Sequence, residues 1–347
     1  TTVALVRGAK RGKGRVARAL KSPSAVAVMG FVGAALLGTG LFLIPGSTHA
    51  PGLGLVDAFF LSMSAVCVTG LVPVPDLTVV LTEQGFWILF GLLQLGGVGI
   101  VFLGALILSF FGGRLPVAHA QALREGFAHR KGGMVRLVLR VSFLTLAFEA
   151  VGALILRTRL DDSGAPWRDA IFHSVSAFCN AGFSTFSNGL VSRGGDKTFV
   201  LVVTALIIVG GLGFTTLSET GKAILIRKRL SLHARIVWRT TVVLLVGGAV
   251  VFFLFERNAA LADLSPVDAA TTALFHSTSA RTAGFNTLDM GVLRPATLLL
   301  MVALMVSVAS ATEPKVERHV VVFGEEGQFA GWPANHGIWS WGDEILV

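Results

Sequence analysis

Asp57-Ala58-Phe59-Phe60-Leu61-Ser62-Met63-Ser64-Ala65-Val66-Cys67-Val68-Thr69-Gly70-Leu71 decides the fold. The segment is too short to cross a bilayer and too apolar for a solvated loop, so it reads as re-entrant. It also recurs. A second copy runs Asp169-Ala170-Ile171-Phe172-His173-Ser174-Val175-Ser176-Ala177-Phe178-Cys179-Asn180-Ala181-Gly182-Phe183, again with 13 residues from Asp to Gly. A third, from Asp268 to Phe285, keeps Phe275-His276-Ser277-Thr278-Ser279-Ala280 and ends Arg281-Thr282-Ala283-Gly284-Phe285, with 16 residues from Asp to Gly. The glycines lie 112 and 102 residues apart, so the repeat is about a hundred residues long.

Each copy sits between two apolar stretches: Ala25 to Ile44 and Thr82 to Phe111, Leu137 to Leu156 and Phe199 to Ile226, Thr241 to Phe255 and Ala296 to Ala309. Lys and Arg gather in three blocks between these pairs. One is the tail with Arg7, Lys10, Arg11, Lys13, Arg15, Arg18 and Lys21; the next runs from Arg114 to Arg140; the third holds Lys222, Arg227, Lys228, Arg229, Arg235 and Arg239. Basic flanks of spanning helices stay in the cytoplasm. The expected layout is a basic tail (1–24), repeat 1 (25–111), a cytoplasmic loop (112–135), repeat 2 (136–226), a cytoplasmic loop (227–239), repeat 3 (240–309) and an atypical tail (310–347).

Composition agrees. Of 347 residues, 53% are hydrophobic and 14% charged, with a formal net charge of +9 and a mean hydropathy of +0.74. An ordinary soluble enzyme carries nearer a quarter charged residues, so that class is set aside. Two cysteines, Cys67 and Cys179, make neither a disulfide framework nor a zinc module. The basic blocks abut apolar spans, which favours a membrane flank over nucleic acid. The first block is no signal peptide, since no small-residue cleavage site follows at a suitable distance. The fold class expected is an all-α polytopic membrane protein of tandem helix, pore-loop, helix units.

The physics of the repeated segment points to an ion pathway. An Asp opening a short helix caps its amides and complements the positive end of its dipole, so the negative end points into the membrane. A cation there meets carbonyls of the extended residues that follow, and glycine supplies the dihedrals those carbonyls need. The plainer alternative, a glycine that merely ends a helix, is weakened by the triple occurrence.

At these residues the sequence resembles the Trk/Ktr/HKT superfamily of potassium transporters. The resemblance rests on Val66-Cys67-Val68-Thr69-Gly70-Leu71, Ser176-Ala177-Phe178-Cys179-Asn180-Ala181-Gly182-Phe183 and Ser279-Ala280-Arg281-Thr282-Ala283-Gly284-Phe285-Asn286-Thr287. It extends to Gln94-Leu95-Gly96-Gly97-Val98-Gly99, Gly210-Gly211-Leu212-Gly213-Phe214 and Glu149-Ala150-Val151-Gly152-Ala153, and covers roughly residues 25 to 309. It implies a multi-pass protein of the inner cell membrane, not an enzyme, with four covalently linked repeats and one filter glycine in each. It implies potassium as the transported ion and no organic cofactor. The filter it implies here is Cys67, Val68, Thr69 and Gly70, then Cys179, Asn180, Ala181 and Gly182, then Arg281, Thr282, Ala283 and Gly284. It also implies a cytosolic nucleotide-binding regulatory subunit as partner, beside membrane lipids and a homo-oligomer.

Other residues carry two readings each. Gly96, Gly97, Gly99, Gly210, Gly211 and Gly213 let helices approach closely, or serve the pathway. Glu149, an acid within a span, is a functional candidate or a structural tie held by a pore-loop hydroxyl or amide. His173 and His276, alike in position, suggest hydrogen bonds behind the filter rather than a metal site. Arg281 limits cation occupancy or ties its loop.

The resemblance stops after Ala309. From Glu313 to Val347 no apolar run is long enough to cross, so a fourth filter segment is expected to be missing. Gly331 to Asp343 looks like soluble β-rich sequence and faintly resembles the start of sialidase-like propellers. Three functions follow as alternatives: a potassium-permeable pore subunit, a truncated non-conducting remnant or membrane scaffold fused to a soluble segment, and a membrane-tethered glycan-binding or glycosidase fragment. The last is the poorest, because 35 residues supply neither a propeller nor a carboxylate pair.

Overall fold

A computed structural model describes residues 23–50, 52–110, 133–227, 229–310, 339–341 and 344–346. Most of the expected basic tail, most of the loop 112–135 and most of 310–347 lie outside them. The chain divides into two compact units, Thr1–Met305 and Val306–Val347.

The first unit is helical. Repeat 1 consists of α1 (Pro23–Phe42), the short α2 (Leu55–Val66), a single turn α3 (Leu77–Val80) and the long α4 (Glu83–Phe110). Repeat 2 has α5 (Gly133–Arg157), the short α6 (Pro166–Phe178), then α7 (Lys197–Gly211) and α8 (Phe214–Ile226). Repeat 3 has α9 (Leu232–Glu256), the short α10 (Pro266–Thr282) and α11 (Pro295–Ser310). Proline at the first helical position starts α6 and α10, where its missing N–H costs nothing. Ser231, Asp196 and Ser265 cap α9, α7 and α10 by accepting from Ala234, Phe199 and Asp268 amides. In the second unit the described backbone outside α11 is one hairpin, Trp339–Trp341 antiparallel to Glu344–Leu346.

Leu139–Arg157 and Leu232–Glu256 are long and apolar enough to cross a bilayer. Three sequence expectations need correction here. The stretch Phe199 to Ile226 is no continuous span: it breaks after Gly211 and turns by 104° between Lys197–Gly211 and Thr216–Ile226. Gly213, at φ +75°, takes a conformation that a side chain resists and sits where a Cβ would meet nothing. Next, the expected loop 227–239 is shorter as a turn, since α9 starts at Leu232 and takes in Arg235 and Arg239. Last, the repeated aspartates are not caps. Gly54, Ala165 and Ser265 are the N-caps, and Asp57, Asp169 and Asp268 lie in the first turn, because each helix starts a few residues earlier. Their charge still complements the dipole.

One three-point contact recurs in every repeat. A Cβ built on Gly38 would lie 3.0 Å from Ser62 Oγ and 2.7 Å from Leu92 Cδ1; on Gly152, 2.5 Å from Ser174 Oγ and 2.7 Å from Leu206 Cδ1; on Gly248, 2.4 Å from Ser277 Oγ and 2.8 Å from Leu304 Cδ1. A glycine on the first helix thus admits the first serine of the short helix and a leucine of the second. Between helices in lipid this kind of close packing, not the expulsion of water, provides the attraction. Ser174 Oγ donates to the Glu149 carbonyl at 2.7 Å and Ser277 Oγ to the Leu245 carbonyl at 2.9 Å.

The repeats are also chained. The core of repeat 1 includes Phe172, Ala181 and Phe183 from repeat 2. The core of repeat 2 takes in Phe275, Ala283 and Phe285, the corresponding residues of repeat 3. Meanwhile Leu36, Leu37, Phe143, Val151, Val243 and Leu299 are exposed on the outside of the helices, as a lipid-facing surface requires.

Candidate functional site

The three glycine segments follow the short helices α2, α6 and α10. In the first two the helix ends at Val66 or Phe178, and Cys67 or Cys179 caps it in helical geometry. The next residue is left-handed: Val68 at φ +55° and Asn180 at φ +58°. The chain then returns. Thr69 N donates to the Ser64 carbonyl and Ala181 N to the Ser176 carbonyl, both at 2.8 Å. Gly70, Gly182 and Gly284 all have positive φ, +80°, +72° and +72°, a region that L side chains enter at a cost.

The third segment is one residue shorter. Ser-Ala is separated from Ala-Gly-Phe by Phe178-Cys179-Asn180 in the second copy and by Arg281-Thr282 in the third. The helix α10 accordingly runs on to Thr282, and Ala283 caps it. Counted from the histidine, the third copy reaches its glycine one residue sooner and without a left-handed residue before it, whereas the longer distance from Asp268 to Gly284 arises upstream of His276.

The segments touch in order. A Cβ on Gly70 would sit 2.2 Å from the Ala181 carbonyl oxygen, and one on Gly182 would sit 2.5 Å from that of Ala283. On Gly284 it would meet only Gly182 Cα, at 3.9 Å. Beside that open flank lies a cavity of about 480 Å³, lined by Thr69, Arg281, Thr282 and Gly284 on one side and Met301 and Met305 on the other. Arg281 is half-buried there, and its Nε has no partner among the described residues. Thr282 Oγ1 donates to Asn180 Oδ1 at 3.3 Å, joining the third segment to the second.

Serine hydroxyls hold two of the segments from behind. Ser176 Oγ donates to the Phe183 carbonyl at 2.7 Å, and Ser279 Oγ to that of Phe285. Ser64 Oγ, at the same place in the first copy, has no partner among the described residues. The histidines also lie behind the segments. Buried His173 donates from Nδ1 to the Asp169 carbonyl at 2.7 Å, leaving Nε2 to meet Ser184 Oγ at 2.9 Å; His276 Nε2 meets Thr287 Oγ1 at 3.2 Å. Leu61 fills this position in the first copy. Among the described residues no group of His, Cys, Asp and Glu could hold a metal ion.

The glycines of the second helices fit against the ends of the short helices. A Cβ on Gly96 would come 2.4 Å from the Val66 carbonyl oxygen, one on Gly210 1.8 Å from that of Phe178, and one on Gly97 2.3 Å from Cys179 Sγ. Close approach explains these three, and backbone turning explains Gly213. Glu149, buried in α5, accepts from Gln94 Nε2 at 2.6 Å and from the Cys179 thiol at 3.9 Å. The tie is thus made by an amide of repeat 1 as well as by the loop of its own repeat. Sequence reading missed Gly38 and Gly248 altogether. Their spacing to the serines differs between repeats, and a single glycine in an apolar helix carries little signal.

Tandem units of helix, short helix and helix, with interlocked glycine segments at their centre, define an all-α polytopic membrane protein. A family model described as TrkH, cation transport protein, matches residues 5–312. The chain is 33% identical over 312 residues to Ktr system potassium uptake protein B of Bacillus subtilis, covering 87% of this chain and 69% of that one. It is 34% identical over 313 residues to the protein of the same name from Vibrio alginolyticus, covering 86% and 68%. The crystal structure of the potassium transporter TrkH from Vibrio parahaemolyticus shares the fold, with a TM-score of 0.60 and 23% identity over 81% of this chain; the match spans 55% of that structure. The chain belongs to the TrkH family of cation transport proteins, a family of transporters and not of enzymes.

Proposed function

We propose that this protein carries potassium ions across the inner cell membrane, with the backbones of Cys67–Gly70, Cys179–Gly182 and Arg281–Gly284 lining the path. The relatives named as potassium uptake proteins support the ion, although another relative is named a potassium/sodium uptake protein. The observation that carries the reading is the set of three glycines at positive φ, in backbone contact from one segment to the next. Such backbone can turn carbonyls toward a common axis, where they replace the water shed by a cation. The C-terminal ends of α2, α6 and α10 add the negative ends of three helix dipoles, and Asp57, Asp169 and Asp268 complement the positive ends.

The residue blocks 1–24, 112–135 and 227–239 face the cytoplasm in this reading, on the positive-inside rule. Their Lys and Arg are the docking surface for a nucleotide-binding regulatory subunit of the Trk/Ktr kind and for anionic lipid, and assembly as a homo-oligomer fits the same scheme. A cysteine placed at Ser231 is expected to react with an impermeant reagent only from the cytoplasmic side.

Flux into liposomes containing the purified protein tests the pathway. Potassium is expected to enter faster than sodium. Gly182→Ser is expected to lower that preference far more than Gly211→Ser, because a Cβ on Gly211 meets only the Asn180 amide, at 3.8 Å. Equal effects would reduce both glycines to packing and sink the assignment.

A further inference from the structure

The two cysteines occupy the same position in successive glycine segments, yet their surroundings differ. Cys67 is exposed, and among the described residues its thiol reaches only Met63 Sδ, at 3.6 Å. Cys179 is enclosed on two sides. On one side lies Gly97 of α4, where even a methyl group would come within 2.3 Å of the sulfur. On the other lies the Glu149 carboxylate, which accepts from the thiol through Oε1 while Oε2 accepts from Gln94 Nε2 at 2.6 Å. Counting three residues back from the recurring first-helix glycines, Ala35 and Leu245 stand where repeat 2 has Glu149. Both are buried apolar residues. The acid is therefore specific to the middle repeat, and it is satisfied from another repeat.

We infer that Gln94 and Glu149 form a cross-repeat clamp on the second glycine segment: Gln94 of α4 orients the Glu149 carboxylate, which with Gly97 pins the Cys179 side chain and so sets the direction of the backbone from Cys179 to Gly182. Glu149 is a positioning residue that acts through Cys179. An acid inside a span is costly and persists only where it is paired, and here both of its oxygens are used. From Cys179 the polar chain continues to Asn180, whose side chain accepts from Thr282 at 3.3 Å. One line of side chains thus runs from repeat 1 through repeat 2 to repeat 3 at the level of the glycines. The first segment, with no such acid, has an exposed thiol at the equivalent position. The consequence for ion choice rests on the proposed pathway; the clamp itself rests on the geometry alone.

The thiol provides the readout. In the 347-residue chain carrying C67S, Cys179 is the only cysteine, and its rate of reaction with a small thiol reagent measures how firmly it is held. Glu149→Ala is expected to raise that rate about tenfold, the scale of one lost hydrogen bond. Glu149→Gln, which keeps an acceptor oxygen, is expected to return it to within about threefold of the parent. Gln94→Leu leaves the acid in place and is expected to raise the rate as well, which keeps the test decisive if Glu149→Ala does not fold. Labelling unchanged in Gln94→Leu, and in Glu149→Ala where that variant folds, would overturn the clamp. In the liposome assay, a loss of potassium over sodium preference in the same variants supports the link to ion choice. Faster labelling with unaltered preference, in protein where Gly182→Ser does alter it, would overturn that link. A parent protein without any preference, but with the labelling pattern intact, would refute the proposed pathway and leave the clamp standing.

Discussion

The second and third glycine segments begin and end alike and differ in the middle. Both open with His-Ser-x-Ser-Ala and close with Ala-Gly-Phe, and in both the second serine bonds the carbonyl of the closing phenylalanine. Between these fixed points the second segment has a cap, a left-handed asparagine and a clamped thiol, whereas in the third the helix runs on through Arg281 to Thr282. The glycine reaches φ +72° by either route. The end points, then, are what the fold holds constant, and the stretch between them is free to acquire other chemistry: Cys179 with its acid in one case, Arg281 beside a cavity in the other.

Substitution of the glycines tests that difference most sharply. Gly182→Ala places a Cβ at positive φ and also 2.5 Å from the Ala283 carbonyl oxygen, so two penalties combine. The backbone conformation alone costs roughly 1–2 kcal/mol, and the contact with backbone adds to it. Gly284→Ala incurs only the first, since its nearest neighbour is 3.9 Å away. In detergent the thermal midpoint is expected to fall clearly further for Gly182→Ala. Equal falls would mean that conformation alone matters and that the segments do not press on each other.

The serine ties come next in size. Ser176→Ala and Ser279→Ala each leave a buried carbonyl without its donor, at about 1–3 kcal/mol, and the two losses are expected to match. Ser64→Ala, which removes a hydroxyl with no partner among the described residues, is expected to stay within about 0.5 kcal/mol of the parent. A large loss at Ser64 would break the comparison by showing that the first segment is held in the same way.

The smallest effect lies at the edge of the second segment. Asp162, in the loop before α6, accepts from Arg193 at 3.0 Å, and that hydrogen bond holds its carboxyl below the ordinary carboxylate value. A group with a lowered folded pKa stabilises at neutral pH, and the contribution is lost as acid protonates it. Thermal midpoints of the parent and of Asp162→Asn are thus expected to differ slightly at pH 7 and to converge as the pH falls below 4. The ion pair is exposed, and exposed pairs contribute little. A gap that widens in acid would reverse the sign of this assignment.

Much of this was legible from the chain. The triple recurrence of a segment too short to span and the basic flanks gave the repeat, and the resemblance in the glycine motifs gave the family that the comparisons bear out. The sequence marks Glu149 as an acid that is either functional or a structural tie, and it places Gln94 in one of the motifs that carry the resemblance. Their pairing was not legible, because it joins different repeats at a sequence separation that no helical period marks. The bend at Gly213 was hidden for the opposite reason: hydropathy continues unbroken across a backbone turn that one residue's dihedrals produce. The aspartates were misplaced as caps because the helices start upstream, two of them at prolines.

The recurring contact of glycine, serine and leucine bears on the order in which the molecule takes shape. All three residues of each contact belong to one repeat, so a unit emerging from the ribosome contains everything needed to seat its own short helix before the next unit is made. Loop closure over such a separation costs only slightly more than over a shorter one. The link from Gln94 to Glu149 has to wait until the second unit arrives, and the bond from Thr282 to Asn180 until the third. Construction by this route passes from self-sufficient parts to the joints between them. A defect in Gly38, Gly152 or Gly248 would therefore be felt during synthesis, one repeat at a time, whereas a defect in the joints would be felt only by the assembled protein.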